Sequence, residues 1–397
     1  MKKLLLATAV TALCTGLAAA EDIKLGILIG FTGPIESLTP SMAAAAENAI
    51  AEVNASGLLL GGSTVTSVRG DTTCAIDTAA ATAAAERMIT AEKVNAIIGA
   101  DCSGVTGAIL QNVARPNGIV MISPSATSPA LSTAEDDGLF FRTAPSDARE
   151  GEVAADIMIA RGIKSIAMTY TNNDYGKGLS EAIVTSFKAK GGEVTIVAAH
   201  EDGKADYTAE VGALAAAGGD ILVVAGYLDQ GGKGIIKAAL DTGAFTKFEL
   251  PGGMIGDSLA PAIGPGLNGS FGQVAGADTA SAGMMALNEI GKAAGFDVNS
   301  PYTTESYDAA ALIMLAMQAA KSSKSADFAG KVMDVANAPG EQIFPGELAK
   351  GLQLLADGID IDYVGGSNVE LVGGGESAGN YKEIEVIDGV QTTVGFR

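Results

Sequence analysis

The stretch 94–123, VNAIIGADCSGVTGAILQNVARPNGIVMIS, reads as one strand–helix–strand unit of a parallel sheet. An apolar run ends at Gly99, a helical pattern covers Val105–Val113, and a second apolar run, Ile119–Ile122, follows Gly118. Two short buried strands separated by a crossover helix are the repeating unit of α/β folds. The alternation continues in both directions. Upstream stand IKLGILIG (23–30), a helical pattern over Ser41–Val53, TVTSVRG (64–70) and a second helical pattern over Ile76–Thr90. Downstream the series pauses at Leu139–Thr143 and restarts with helix Glu150–Ala160, strand SIAMTY (165–170), helix Gly178–Ala189 and strand EVTIVA (193–198). Helix Ala209–Ala217, strand DILVVAG (220–226) and helix Gly231–Leu240 complete it. The reading is α/β, with two similar sheets of parallel strands and crossover helices. Beyond Gly276 come helical patterns at Ala282–Ala293, Glu305–Lys321 and Ala326–Asn337, then short strand-like pieces such as IDIDYVG and VELVGG. A chain of 397 residues suits two domains better than one core.

Composition narrows the function. The net charge of −21 opposes nucleic acid and anionic membrane as partners and reads as a solvated acidic surface. Residues 1–20 read as a secretory signal: Lys2 and Lys3, an apolar stretch Leu4–Leu17, and Ala18-Ala19-Ala20 before Glu21. Cys14 raises the alternative of a lipid anchor, with Leu13 rather than a small residue before it. No other apolar run approaches ~18 residues, so no membrane-spanning segment is expected. Enzyme motifs fail. The run 226–234 misses the phosphate-loop spacing, 26–33 lacks G-x-G-x-x-G, and Pro34 interrupts the helix that should follow. One histidine, His200, and no G-x-S-x-G leave no hydrolase triad. His200, at a strand end, reads as a solvated surface residue. No catalytic residue, cofactor or metal is expected.

Two polar corners follow strand ends, where open α/β sheets bind ligands. Cys102-Ser103-Gly104 opens a helix, whose free amides attract a carboxylate or phosphate; an ordinary N-cap is the other reading of Ser103. Ser123–Pro129 is a loop between two prolines that presents Ser125 and Thr127, or serves only as a rigid turn. Beyond the signal two cysteines remain, Cys74 and Cys102. An even pair in an oxidising compartment suggests a disulfide, with a thiol or metal site as the rival.

Several motifs in order carry a resemblance: G-F-T-G-P (30–34), D-T-T-C (71–74), the stretch 100–129, N-D-Y-G-K-G (173–178), A-G-Y (225–227), G-G-M-I-G-D (252–257) and E-S-Y-D-A (305–309). The chain resembles the periplasmic branched-chain amino-acid binding proteins, solute receptors of ABC importers with the type I periplasmic binding protein fold. The resemblance implies two Rossmann-like lobes joined by a three-segment hinge, with lobe I at 21–141 and 277–362 and lobe II at 142–276 and 363–397. It implies a Cys74–Cys102 bridge and a ligand held by Ser103, Ser125 and Thr127 from one lobe and by Tyr175 and Tyr227 from the other, with Tyr302 at the rim. Leu38 stands where the family carries a covering aromatic. Gly252 stands where it often carries an acid that neutralises the ligand ammonium, leaving Asp257, or a helix cap at Asp257, to be considered. The implied function is a periplasmic, monomeric receptor for a small amino acid, working with an ABC permease and its ATPase. An amine-free carboxylate or small amide as ligand, and a sensory module without transport, are the alternatives. Intact-mass measurement of exported protein should give a chain starting at Glu21; retention of residues 1–20, or lipid on Cys14, contradicts the signal reading.

Overall fold

A computed structural model describes residues 20–397; the expected signal segment lies, apart from Ala20, outside the described residues. In chain order the first strands are β1 (Asp22–Ile29), β2 (Thr64–Asp71), β3 (Ala96–Gly99), β4 (Val120–Ser123) and β5 (Phe140–Pro145). A second series follows: β6 (Ser165–Thr171), β7 (Glu193–His200), β8 (Ile221–Ala225), β9 (Phe248–Leu250) and β10 (Phe271–Ala275). The remainder are β11 (Glu341–Ile343), β12 (Ile361–Tyr363), β13 (Leu371–Val372), β14 (Glu376–Ser377), β15 (Tyr381–Ile387) and β16 (Val390–Phe396).

They build two seven-stranded sheets and a small two-stranded one. The first sheet runs β13-β14-β5-β4-β3-β1-β2 and the second β16-β15-β10-β9-β8-β6-β7. Each has the same five-stranded parallel core, with the order second-first-third-fourth-fifth, and the C-terminal tail adds two strands to each: β14 parallel to β5 with β13 antiparallel beyond it, and β15 and β16 in antiparallel succession after β10. β3 and β4 are fully buried, as crossover helices on both faces require. Helix Thr303–Ala320 is buried at every position from Thr303 to Gln318, so its apolar residues are not confined to one stripe. It packs on β3, β4 and β5 and on helix Thr39–Ser56, making the core of the first lobe.

Two expected boundaries move. β5 pairs with β4, so the chain leaves the first sheet after Pro145 rather than at 142. Segment 371–377 forms β13 and β14 against β5, so the third crossing falls at 378–380 rather than at 363. The second crossing follows β10, whose next residue, Gly276, donates its amide to the Asn380 carbonyl of the third. The helical pattern at Ala326–Asn337 splits into Ser325–Phe328 and Lys331–Ala336.

His200 is corrected most sharply. It is 1 % exposed, with Nδ1 2.8 Å from Thr169 Oγ1 across paired strands. Burial pushes its imidazole down to about 4, so the ring is neutral at pH 7. Its strand end is covered because glycines at 226 and 231 let the following loop lie on the ring.

Cys74 and Cys102 are bonded, with Cα atoms 5.2 Å apart across a separation of 28 residues. The bridge ties the loop after β2 to the loop after β3. In the chain-entropy model a closed loop of this length stabilises by about 3–4 kcal/mol. Denaturant titration with and without reductant should show that loss, and unreduced peptide mapping should find the two cysteine peptides joined. Equal stability in both states would contradict it.

Candidate functional site

The carboxyl ends of the two parallel cores face each other, and the loops leaving them enclose a small cavity. Its first-lobe wall is Ile35 and Leu38 after β1, Asp101, Cys102 and Ser103 after β3, and Ser125 after β4. Tyr175, Tyr227 and Gly253 close it from the second lobe, and Tyr302 from the start of the long helix. The lobes are shut: the cavity encloses about 20 Å³, room for about one water. Asp229 holds them together. Its carboxylate accepts from the amide and hydroxyl of Ser37 at 3.1 and 2.6 Å, and its amide donates to the Pro34 carbonyl. A larger open groove of about 650 Å³ lies between Pro129 and helix Asp174–Ala189. Its charged residues, Asp174, Lys177 and Glu181, are exposed to solvent, so the enclosed cavity is the better candidate.

Ser103 is the first residue of helix Ser103–Ile109, whose N-cap position is Cys102, and its side chain does not cap that helix. Its Oγ accepts from the amides of Thr127 and Ser128 at 3.2 and 3.0 Å, joining the two polar corners. With the oxygen thus occupied, the hydroxyl hydrogen is what remains to meet a ligand anion. Ser125 donates to the Asp101 carbonyl at 3.1 Å. The Asp101 carboxylate, in turn, accepts from Gly30 N at 2.7 Å and Thr72 Oγ1 at 2.6 Å, so it is buried but satisfied.

Tyr175 and Tyr227 stack, with ring centroids 5.0 Å apart and planes 18° off parallel. Tyr175 sits in the first turn of helix Asp174–Ala189, capped by Asn173, and its Oη accepts from Gly253 N at 2.9 Å. Tyr302 holds φ +61, a left-handed backbone rare for a bulky side chain. Such strain concentrates at ligand sites, and here it places the ring in the cavity just before helix Thr303–Ala320 begins.

Behind this wall lies a group of buried acids. Helix Asp147–Ala160 starts directly after β5, capped by Ser146, and carries Asp147 and Glu150 in its first turn. Asp147 is fully buried and neither oxygen has a hydrogen-bond partner. Burial, then the Glu150 charge, pushes its carboxyl well above the usual range; nearby Thr127 and Arg142 offset this only in part. Glu150 accepts from Gly252 N at 2.8 Å and Gln273 Nε2 at 3.0 Å, and burial raises it to about 7. Glu249 is fully buried and unpartnered, raised by burial and by Glu150 to about 8.

Of the residues expected at the site, Leu38, Ser103, Ser125, Tyr175, Tyr227 and Tyr302 lie on the cavity wall. Thr127 is buried one layer back, its amide spent on Ser103 and its carbonyl accepting from Asp147 N. Asp257 is exposed and outside the cavity, which withdraws it as an ammonium acid; nor does it cap the next helix, which runs Leu259–Ile263 from Ser258. Asp147 and Glu150 were not singled out from the sequence. Acids in the first turn of a helix are ordinary, and only the β5 crossing brings these two under the cleft. Cys74, Asp101 and Cys102 cluster, but the two sulfurs bind each other and are not metal donors. Among the described residues, no helix is long and apolar enough to cross a membrane.

Comparison with known proteins agrees with this arrangement. Residues 22–344 match the model of a family described as "Periplasmic binding protein". The chain is 30% identical over 268 residues to a Leu/Ile/Val-binding protein of Citrobacter freundii, covering 67% of this chain and 71% of that one. Among solved structures, a leucine binding protein from Thermotoga maritima superposes with a TM-score of 0.78 at 20% identity, covering 94% of this chain and 98% of that one. A solute binding protein of an ABC transporter from Rhodopseudomonas palustris HaA2, in complex with p-hydroxybenzoic acid, gives 0.77 at 18% identity, over 95% and 97%. At such identities the structural likeness shows the fold.

The buried acids make stability depend on pH. Between its ordinary value of 4.5 and about 8, Glu249 keeps a proton in the folded chain that it loses on unfolding. Its contribution is therefore full below 4.5 and lost as pH rises through 8. Glu150 and Glu305, each raised to about 7, act with the same sign. His200, lowered to about 4, acts oppositely, removing stability as pH falls below 6.5. Melting temperatures should fall from pH 6.5 to pH 8.5, and Glu249→Gln, which is neutral throughout, should flatten that fall. An identical slope in the variant would contradict the assignment.

Proposed function

The chain belongs to the periplasmic binding protein family, and from that premise we propose that it is an extracytoplasmic receptor that captures a small amino acid between its lobes. It delivers the closed form, as a monomer, to an ABC permease driven by its ATPase, and performs no covalent chemistry. One observation carries the choice of ligand. The cavity sets a helix-start hydroxyl, Ser103, into a wall with no Lys, Arg or His, and buried carboxylates lie behind it. A zwitterion complements both: its carboxylate meets the donor of Ser103 and its ammonium faces the acids. The stacked tyrosines and Ile35 and Leu38 supply apolar area for an aliphatic side chain. The Leu/Ile/Val-binding relative supports the same class.

Closure follows from the same geometry. The closed state alone makes the Asp229–Ser37 bonds and brings Tyr175 and Tyr227 against Ser103. The shut form, with room for about one water, is narrower than an amino acid, so a ligand enters with the lobes apart and, by touching both walls, favours a closed state wide enough to hold it over the open one. A second reading, an amine-free aromatic carboxylate, draws support from the p-hydroxybenzoic acid complex and from the raised acids, which when protonated no longer repel an anion. Thermal-shift measurements with L-leucine, L-isoleucine, L-valine, 4-hydroxybenzoate and 4-methyl-2-oxopentanoate separate the two. At one hundred times its Kd a ligand adds about 2.7 kcal/mol. The amino-acid reading expects the rise with an aliphatic amino acid; a rise confined to the amine-free acids would replace it with the second.

A further inference from the structure

We propose that Glu150, backed by Asp147, is the residue that selects a positively charged group on the ligand, in place of any side chain at position 252. The inference rests on the amino-acid reading above and assigns its specificity. Its starting point is a crowded corner. A Cβ built at Gly252 would lie 2.8 Å from the Tyr302 hydroxyl and 3.5 Å from both carboxylate oxygens of Glu150. A Cβ at 252 would displace the Tyr302 hydroxyl, and the carboxylate of Glu150 already stands at contact distance from it. Tyr302 and the neighbouring Gly253 are both on the cavity wall, so this corner borders the ligand space.

Glu150 is 2 % exposed, and its hydrogen bonds from Gly252 N and Gln273 Nε2 both go to Oε1. Among the described residues no donor reaches Oε2. A second, independent set of observations points the same way. Asp147 has two buried oxygens without partners, and the hydroxyls of Thr303, next to Tyr302, and Tyr381 are likewise buried and unpartnered. The Tyr302 hydroxyl and the Glu150 carboxylate both border the space a Cβ at Gly252 would enter. Arg142, the cation whose charge reaches Asp147, donates to the carbonyls of Ala126 and Ser128 and pairs with Glu376. Buried charge of one sign with no partner is costly. An ammonium brings three donors and no acceptor, which is what this corner lacks, whereas an amine-free acid brings nothing to it.

Calorimetry with L-leucine and its amine-free analogue 4-methyl-2-oxopentanoate on the wild-type chain, Glu150→Gln and Asp147→Asn is the test. Glutamine keeps an oxygen for Gly252 N, so the fold should hold; Asp147→Asn reads the same corner should it not. Loss of one charge-assisted contact predicts leucine affinity falling roughly 10- to 100-fold in Glu150→Gln, with a smaller fall in Asp147→Asn and the analogue unaffected. Leucine binding within threefold of wild type in both variants overturns the proposal while leaving the amino-acid reading intact. Equal weakening of leucine and analogue makes Glu150 structural and also overturns it. A wild-type chain that binds the analogue and none of the aliphatic amino acids overturns both.

Discussion

Parallel strands deliver all their carboxyl ends to one edge of a sheet, and this chain builds two such sheets and turns those edges toward each other. Most of the cavity wall follows from that constraint, Tyr302 being the exception that arrives at the start of a helix. Ser103 leaves β3, Ser125 leaves β4, Tyr175 leaves β6, Tyr227 leaves β8 and Gly253 leaves β9, each within a few residues of its strand end. Because the strands are buried on both faces, the loops are positioned by rigid cores. Three crossings, at 146, after 275 and at 378–380, connect the lobes.

Electrostatics decides what the chamber suits. The net charge of −21 does not by itself select a ligand. The interior acids are different in kind. The hydrogen bonds of Asp101 are satisfied by Gly30 and Thr72; Asp147 has only Arg142 nearby, which pairs with Glu376, and Glu150 takes only the neutral donors of Gly252 and Gln273. Each must share a proton or receive a positive group.

Much of this was legible in the sequence, for identifiable reasons. Alternating apolar runs and helical patterns announce a parallel sheet because no other fold uses that order so persistently. Residues leaving strand ends, such as Ser103, Tyr175 and Tyr227, could be named because topology puts strand ends at the cleft and the family resemblance singled out these residues there. What failed depended on distant packing. Asp147 and Glu150 look like ordinary helix-start acids until β5 is seen to end under the cleft. His200 looks exposed until a loop with glycines at 226 and 231 covers it. The third crossing was set too early because β13 and β14 are two residues each, and pairing with β5 leaves no periodic trace in so short a segment.

The most direct measurement is a crystal structure of the chain grown with the aliphatic amino acid that stabilises it best. The account predicts the ligand between Ser103 and the stacked pair Tyr175–Tyr227, its carboxylate within hydrogen-bond distance of the Ser103 hydroxyl and its ammonium turned toward Tyr302 and Glu150. A ligand bound in the open groove beside Pro129, or lying in the cavity with its carboxylate turned toward Glu150, would contradict it.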